Sequence, residues 1–490
     1  MTTTHIDRIP EELLLQVFAY LERPAPSKLN ARKEPSLDIT NSEYRDYKNA
    51  SCVSRRWRRI VLPLLFSHCR LRLDAVPRAE WSTCQVCGIP SSLSSRMPSR
   101  VDPYHEQLLQ QAALVGNPAP EGSGDQALSS VQGSLEVALQ WYHCLKDYLE
   151  FIQAHALETC IRSFALITED CGIVYDRYPH RSAANQDYRY RAAAALWQHL
   201  LQTIAPVRVF IVASPGDLGC LTNCAIDMTG DWAFSDMDYH VLELISESTS
   251  VRRLEGVEID FETLEYVPSE YPGIANASLL RLHPWTEIGL NEGSFLKAYG
   301  TYEYFERGPP SIVTSIKQCL ATSMPRHARP QHPPKLPALK KFVYTAILPF
   351  ATHVNFNSLL PFLDELDVKL APDPDSGILS DSSRVGKAEL GGKYRCRSKP
   401  HAGHIIDWCA DCWQEFFTSY QVISRPFRTH ELSSSSALPL KKFICRDYQN
   451  PALEEELDET FLWLCMPCWA EMRPGVFERQ ADVPGYPQAP

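Results

Sequence analysis

The chain has no apolar run approaching the roughly 20 residues needed to cross a bilayer, so no membrane-spanning helix is expected. A secretory leader pattern is also missing. The first apolar run is preceded by Glu11 and Glu12 and broken by Gln16, which points to a soluble protein of the cytoplasm or nucleus, with no membrane partner. Positive charge is in deficit: 48 Lys+Arg stand against 59 Asp+Glu, a formal net charge of −11. That is the wrong sign for a chain held mainly by phosphate backbones, so nucleic acid is not an expected ligand. Catalytic signatures are absent too, with no G-x-S-x-G elbow, no H-E-x-x-H helix and no G-x-x-x-x-G-K-[ST] loop. The "CMPC" of Cys465 and Cys468 echoes a thioredoxin motif, but only 22 residues follow Cys468, too few for the domain that motif opens. The expectation is a non-catalytic protein.

What is present is ordinary for a large soluble globular protein. At 490 residues, 44% hydrophobic and 22% charged, the chain can bury the core of several domains or of an extended repeat array. Its 16 cysteines, in an intracellular chain, are expected to be reduced: buried small hydrophobes, metal ligands or nucleophiles, not a disulfide framework.

The N-terminal stretch "IPEELLLQVFAYLE" (residues 9–22) predicts a helix. Pro10 suits the first helical position and Glu11 and Glu12 place negative charge at the positive end of the dipole. Leu13, Leu14, Val17, Phe18 and Leu21 recur at helical spacing, an apolar stripe too wide for so short a helix to bury against itself. A polar segment over 22–49 reads as a loop. Then "ASCVSRRWRRIVLPLLFSHCRLRL" sets Ala50, Val53, Trp57 and Ile60 at spacings of three, four and three, one buried face, with Arg55, Arg56, Arg58 and Arg59 on the others as a solvated surface. Pro63 is expected to restart a short turn carrying Leu64, Leu65 and Phe66.

Ile-Pro-x-Glu-Leu-Leu-x-x-Val-Phe-x-Tyr-Leu followed by Val-Ser-Arg-x-Trp-Arg resembles an F-box, over residues 6–73. The 22–49 connection is longer than the link usual between the two halves, an insertion that closure entropy tolerates because it grows only logarithmically with length. The resemblance implies a docking face for a Skp-type adaptor, and through it a cullin ubiquitin ligase. Carried over residue by residue, Ile9, Pro10, Leu13, Leu14, Val17 and Phe18 would face the adaptor; Val53 and Trp57 belong to the second half, Trp57 in a mainly structural role. It also implies that the remainder of the chain selects a protein substrate for ubiquitylation. Two rivals stand beside this: an F-box scaffold working outside a ligase, and a zinc- or thiol-dependent enzyme.

Residues 75–134 are rich in Ser, Pro, Gly and Gln and read as a partly disordered linker with a short helix near 104–115. Beyond Leu135 an apolar-x-x-apolar-x-apolar frame recurs at Ile161-Phe164-Leu166, Val207-Phe210-Val212, Leu254-Val257-Ile259, Ala277-Leu280-Leu282, Leu339-Phe342-Tyr344, Leu363-Leu366-Val368 and Leu440-Phe443-Cys445. The middle positions step by 46, 47, 23, 62, 24 and 77 residues, which contains the leucine-rich-repeat unit with insertions. The frames resemble those of leucine-rich-repeat F-box proteins without their Asn/Cys ladder; a non-solenoid α/β domain stays open as the alternative. The expected fold is thus α+β overall: an all-α F-box of three short helices over 1–74, with the inserted loop 22–49, the linker, an irregular α/β leucine-rich-repeat-like solenoid over 135–472, and a disordered tail over 473–490. "LEEELDETFLWL" is expected to be the closing helix.

Three C-x-x-C pairs carry the remaining chemistry: Cys84/Cys87, Cys409/Cys412 and Cys465/Cys468. If the last two pairs lie on packed terminal elements about 8–10 Å apart, Cys409, Cys412, Cys465 and Cys468 form a candidate four-thiolate structural zinc site, the one cofactor the sequence suggests. Against this, 52 residues separate Cys412 from Cys465, and Trp408, Trp413, Trp463 and Trp469 suit cysteines that pack as core residues. Cys84/Cys87 has no evident mate, and His401 and His404 read as loop histidines.

Overall fold

The computed structural model describes residues 9–21, 24–41, 45–73, 141, 144–168, 193, 196–224, 226–228, 230–234, 237–247, 279–300, 308–316, 339–376, 410–432, 439–451, 453–461 and 469–480. They fall into two compact units. The first comprises Met1–Asn30, Leu37–Ala225 and Ser248–Leu282; the second comprises Ala31–Ser36, Ile226–Glu247 and His283–Pro490.

The first unit opens with helix α1 (Glu11–Ala19), shorter than the stretch 9–22 suggests. Pro10 is its N-cap rather than its first helical residue, with ψ at 148°, and its carbonyl accepts from Leu14 N at 3.1 Å. The segment 22–49 is more structured than a loop: it holds α2 (Pro26–Asn30), a 3-10 turn at Leu37–Thr40 and the start of α3 (Arg45–Val53). The second half is two helices, not one. Ser54, extended at φ −157° and ψ 164°, ends α3 and caps α4 (Arg55–Leu65), its Oγ accepting from Trp57 N at 3.1 Å. The face expected from Ala50, Val53, Trp57 and Ile60 is therefore broken, and Val53 ends up exposed. Pro63 continues α4 instead of restarting a turn.

Leu14, Phe18, Tyr47, Ala50, Ile60 and Val61 form the core shared by α1, α3 and α4, with Ile9, Trp57, Leu64 and Leu65 half-buried against it. Phe18 meets Trp57 edge-on at 5.0 Å, and Tyr47 Oη donates to Phe18 O at 3.1 Å, satisfying a carbonyl at the α1 C-terminus. The arginines divide. Arg55 and Arg58 are solvated, whereas Arg56 donates to Ile9 O and Arg59 pairs with Glu11, clamping the start of α1.

After α4 the chain enters β1 (His68–Leu73), which continues in parallel to β2 (Ser163–Thr168) and β3 (Arg208–Ala213). Helical stretches 144–154 and 196–203 precede β2 and β3. Every residue of β2 is buried, as expected for a parallel strand covered on both faces. Register places Phe164 beside Cys69 and Val209, and Leu166 beside Leu71 and Ile211. The frame expected over Val207-Phe210-Val212 is thus one residue out of phase, and β1 is a further strand of the same kind. Pro215–Thr222 (α5) follows β3, and Trp197 Nε1 donates to Leu221 O at 2.6 Å to pin it. Residues 279–282 are a helical turn (α6, Leu279–Leu282), not the strand that the Ala277-Leu280-Leu282 frame suggests. The Leu254-Val257-Ile259 frame and the whole 75–134 linker expectation lie outside the described residues.

The second unit is a mixed sheet of β4 (His240–Ile245), β5 (Glu287–Ser294), β6 (Lys341–Ile347), β7 (Glu365–Lys369), β8 (Lys442–Cys445), β9 (Trp469–Arg473) and β10 (Val476–Arg479), in the order β4-β5-β6-β7-β8-β10-β9. Strands β5 to β8 are parallel and sequential; β4 and the β10-β9 hairpin run antiparallel at the two sides. Here three expected frames fall in step: Phe342, Leu366 and Phe443 are neighbours, as are Tyr344, Val368 and Cys445. These six are buried in one face; Tyr420 of α7 (Ala410–Leu432) meets Cys445, and Phe461 of α8 (Glu454–Phe461) closes on Phe443 at 5.5 Å. The expected closing helix exists, but the hairpin follows it, so residues 473–479, assigned to a disordered tail, are strand and turn.

Gly475 turns that hairpin at φ +73°, and a Cβ there would lie 2.3 Å from Cys445 O and 2.8 Å from Tyr448. Replacing Gly475 by Ala should cost about 2 kcal/mol or more, because left-handed strain and backbone overlap add. Gly308→Ala, where a Cβ meets nothing within 4 Å, should leave the melting temperature unchanged. Equal melting temperatures for the two variants would contradict this placement of the hairpin.

Candidate partner-binding surfaces

The α1 stripe is divided between two tasks. Leu14 and Phe18, each 3% exposed, are spent on the three-helix core and cannot also face a partner, which corrects their assignment as adaptor-facing residues. Leu13 and Val17, four residues apart on the neighbouring side of the helix, remain 49% and 57% exposed. Tyr20 and Val53 are 91% and 61% exposed, and Leu15 and Leu21 are exposed as well. Ile9 is half-buried on the core and Pro10 exposed, while Trp57 packs inward as expected. Large apolar side chains left in solvent on α1, just past its end and at the end of α3 are what a docking surface leaves in the free protein.

The second surface is the polar face of the β5–β8 sheet. Side chains alternate across a strand, so the positions between the core residues form rows on the opposite face. The first row is a charge ladder. Lys341 reaches Glu287 at 3.4 Å and Glu365 at 3.3 Å, and Lys442 reaches Glu365 at 4.0 Å and Glu478 at 3.7 Å. Deeper in, Asp367 has a side chain only 1% exposed; Arg446 forks onto it with Nε to Oδ1 at 3.0 Å and Nη2 to Oδ2 at 2.9 Å. Arg32 Nη2 donates to the same Oδ2 at 2.7 Å. Residues 31–36 thus lie on this face. Asn291 Nδ2 donates to Ala31 O at 3.0 Å and to Lys33 O at 2.7 Å, and Pro35 sits against Gly293.

Gly293, at φ +72°, belongs to a register shift between Asn291 and Ser294, a bulge in β5. The same bulge buries Glu292. Its carboxylate accepts from Tyr344 Oη at 2.6 Å, from His353 Nε2 at 2.7 Å and from Ser311 Oγ. Burial alone would push this carboxyl up; His353, His240 and the Ser311 hydroxyl outweigh it and hold the group at about 2. His240, fully buried nearby in the same unit, is pushed down to about 4 by burial, against the pull of Glu292. Neither of its ring nitrogens meets a hydrogen-bond partner among the described residues.

Among the described residues no group of three or more His, Cys, Asp or Glu is arranged to hold a metal ion. Of the proposed zinc ligands, Cys409, Cys465 and Cys468 lie outside the described residues, as do Cys84 and Cys87; Cys412 falls in α7, but its side chain is outside them too. No helix among the described residues is long and apolar enough to cross a membrane. Sequence reasoning missed Asn291, Glu292, Asp367 and the 31–36 segment. A signal existed for the bulge, since "LNEGS" places a glycine inside a strand pattern. None existed for Arg32 and Asp367, which are 335 residues apart. No protein-family model, no curated protein and no solved structure matches the chain.

The His240 shift has a consequence for stability. Its folded pKa of about 4 lies below the ordinary 6.5, so the unfolded chain takes the proton first. The contribution is present above pH 6.5 and is lost as pH falls towards 4, on the order of 3 kcal/mol at about 1.4 kcal/mol per unit. Asp447, pushed by burial up to about 6, runs the opposite way, so the comparison has to be made against a variant. His240→Phe should show a shallower fall of melting temperature between pH 6.5 and 4 than the parent; parallel curves would contradict the buried neutral imidazole.

Proposed function

We propose that the chain is an F-box-type substrate receptor. Its α1 and α3 surface would bind a Skp-type adaptor and so join a cullin ubiquitin ligase, while the remainder of the chain holds a protein substrate. The observation that carries this reading is the division of α1: Leu14 and Phe18 hold the helices together, and Leu13 and Val17, which the same motif assigns to the adaptor, stay in solvent. The sequential parallel strands β5 to β8 support a leucine-rich-repeat-like stack behind it, in which each unit buries its core against its neighbours. The protein itself performs no bond chemistry in this scheme. It raises the effective concentration of substrate lysines near a ubiquitin-charged partner, and the rate follows from proximity.

The test is capture of a purified Skp-type adaptor by the full chain and by a Leu13→Asp/Val17→Asp variant. Two charges placed in a desolvated apolar contact should weaken capture by several kcal/mol, enough to abolish it in a pull-down. Because both positions are exposed, the variant should keep the parent's circular dichroism and melting temperature. Failure of the parent chain to bind, or undiminished binding by the variant, would remove the F-box reading.

A further inference from the structure

We propose that the polar face of the β5–β8 sheet is a recognition site for a peptide segment that carries an arginine and, three residues later, a proline, and that residues 31–36 fill it in cis until a partner segment of the same chemistry replaces them. Each contact on this face reads a separable feature. Asn291 Nδ2 grips the carbonyls of Ala31 and Lys33, one before and one after Arg32, and carbonyls belong to any sequence. Asp367 reads the cation through a single hydrogen bond from Arg32 Nη2. Gly293, whose added Cβ would come within 3.3 Å of Pro35 Cδ, leaves room for a proline ring three residues after the arginine. The arginine and the proline are thus both read on this face, and they are three apart.

The site tolerates exchange of its occupant for an electrostatic reason. Removing one partner of a buried pair is costly when it strands a charge. Here Arg446 holds both oxygens of Asp367 in its fork, so departure of Arg32 costs one charge-assisted bond and leaves no bare carboxylate. The Arg32 side chain is itself one-third exposed. Asn30 Nδ2 donates to Ile39 O at 2.9 Å, a bond between the two flanking segments that needs no residue of 31–36.

This assigns a substrate class to the receptor reading, but the site is tested without adaptor or ubiquitin, so its failure and that of the receptor reading are separate. The probe is a fluorescent peptide with the sequence of residues 29–38, LNARKEPSLD. It is titrated by anisotropy into the full chain, into a full chain whose residues 31–36 are a Gly-Ser segment of equal length, and into Arg32→Glu. An occupant tethered in cis competes at millimolar effective concentration, so the two altered chains should bind the peptide at least about tenfold more tightly than the parent. Replacing the peptide's arginine by alanine, or adding Asp367→Asn to the Gly-Ser chain, should each cost about tenfold or more. Circular dichroism identifies the folded chains. Absence of binding to whichever altered chain folds, or binding indifferent to the peptide arginine and to Asp367, overturns the proposal.

Discussion

The register of β5 to β8 is the constraint on which the second unit depends. Because successive side chains point to opposite faces, one register decides both faces at once, and a slip of one residue would exchange them. Held in step, Phe342, Leu366 and Phe443 make a continuous apolar row, and Lys341, Glu365 and Lys442 make a row of alternating charge behind it. The ladder contributes little per pair, roughly 0.2–1 kcal/mol at this exposure. Its effect is selective: a shifted pairing would bury lysine and glutamate in the core and lift phenylalanine into water. Asp367 and Asn291 reach the polar face by the same rule, which is why a segment so distant in sequence finds two anchors there.

The N-terminal helices meet a different constraint, that of too few residues for their apolar surface. Helix α1 has nine residues, and its stripe covers more than α3 and α4 can bury. The structure resolves this by geometry: Leu14 and Phe18, with Tyr47, Ala50, Ile60 and Val61, form a closed core, and Arg56 and Arg59 fix the helix start. The surplus remains in solvent. Exposed Leu13, Val17 and Tyr20 cost solubility without adding to the fold, and the receptor reading gives that surplus a purpose.

Much of this was legible in the sequence where spacing carried phase. The frames at 339–344, 363–368 and 440–445 each set two charged residues between their first two apolar ones, which marks the core positions, and the structure puts them in register. "RVFIVA" at 208–213 is apolar nearly throughout, as a strand buried on both faces must be, and such a run conceals its own phase; the frame drawn there slipped by one. Four apolar residues at 279–282 could be helix or strand, and became helix. Strand β5 was missed because Gly289, Asn291 and Gly293 dilute its apolar pattern, although those residues make the bulge and its contacts. Helical spacing marks the α1 stripe as surplus but cannot separate Leu13 from Leu14, since that choice depends on where α4 lies. The contact of Arg32 with Asp367 belongs to tertiary structure alone.

The most direct test of the central claim reads side-chain exposure, because the account rests on which apolar residues are free. Hydroxyl-radical footprinting of the full chain, alone and saturated with a Skp-type adaptor, reports oxidation residue by residue. The account predicts that Leu13, Val17, Tyr20 and Val53 react readily in the free chain and are protected in the complex, while Leu14 and Phe18 react slowly in both. Met472, 58% exposed on β9, should be unchanged as an internal control. Protection confined to other parts of the chain, or fast oxidation of Leu14 and Phe18 that the adaptor suppresses, would contradict the division of α1 on which the proposed function stands.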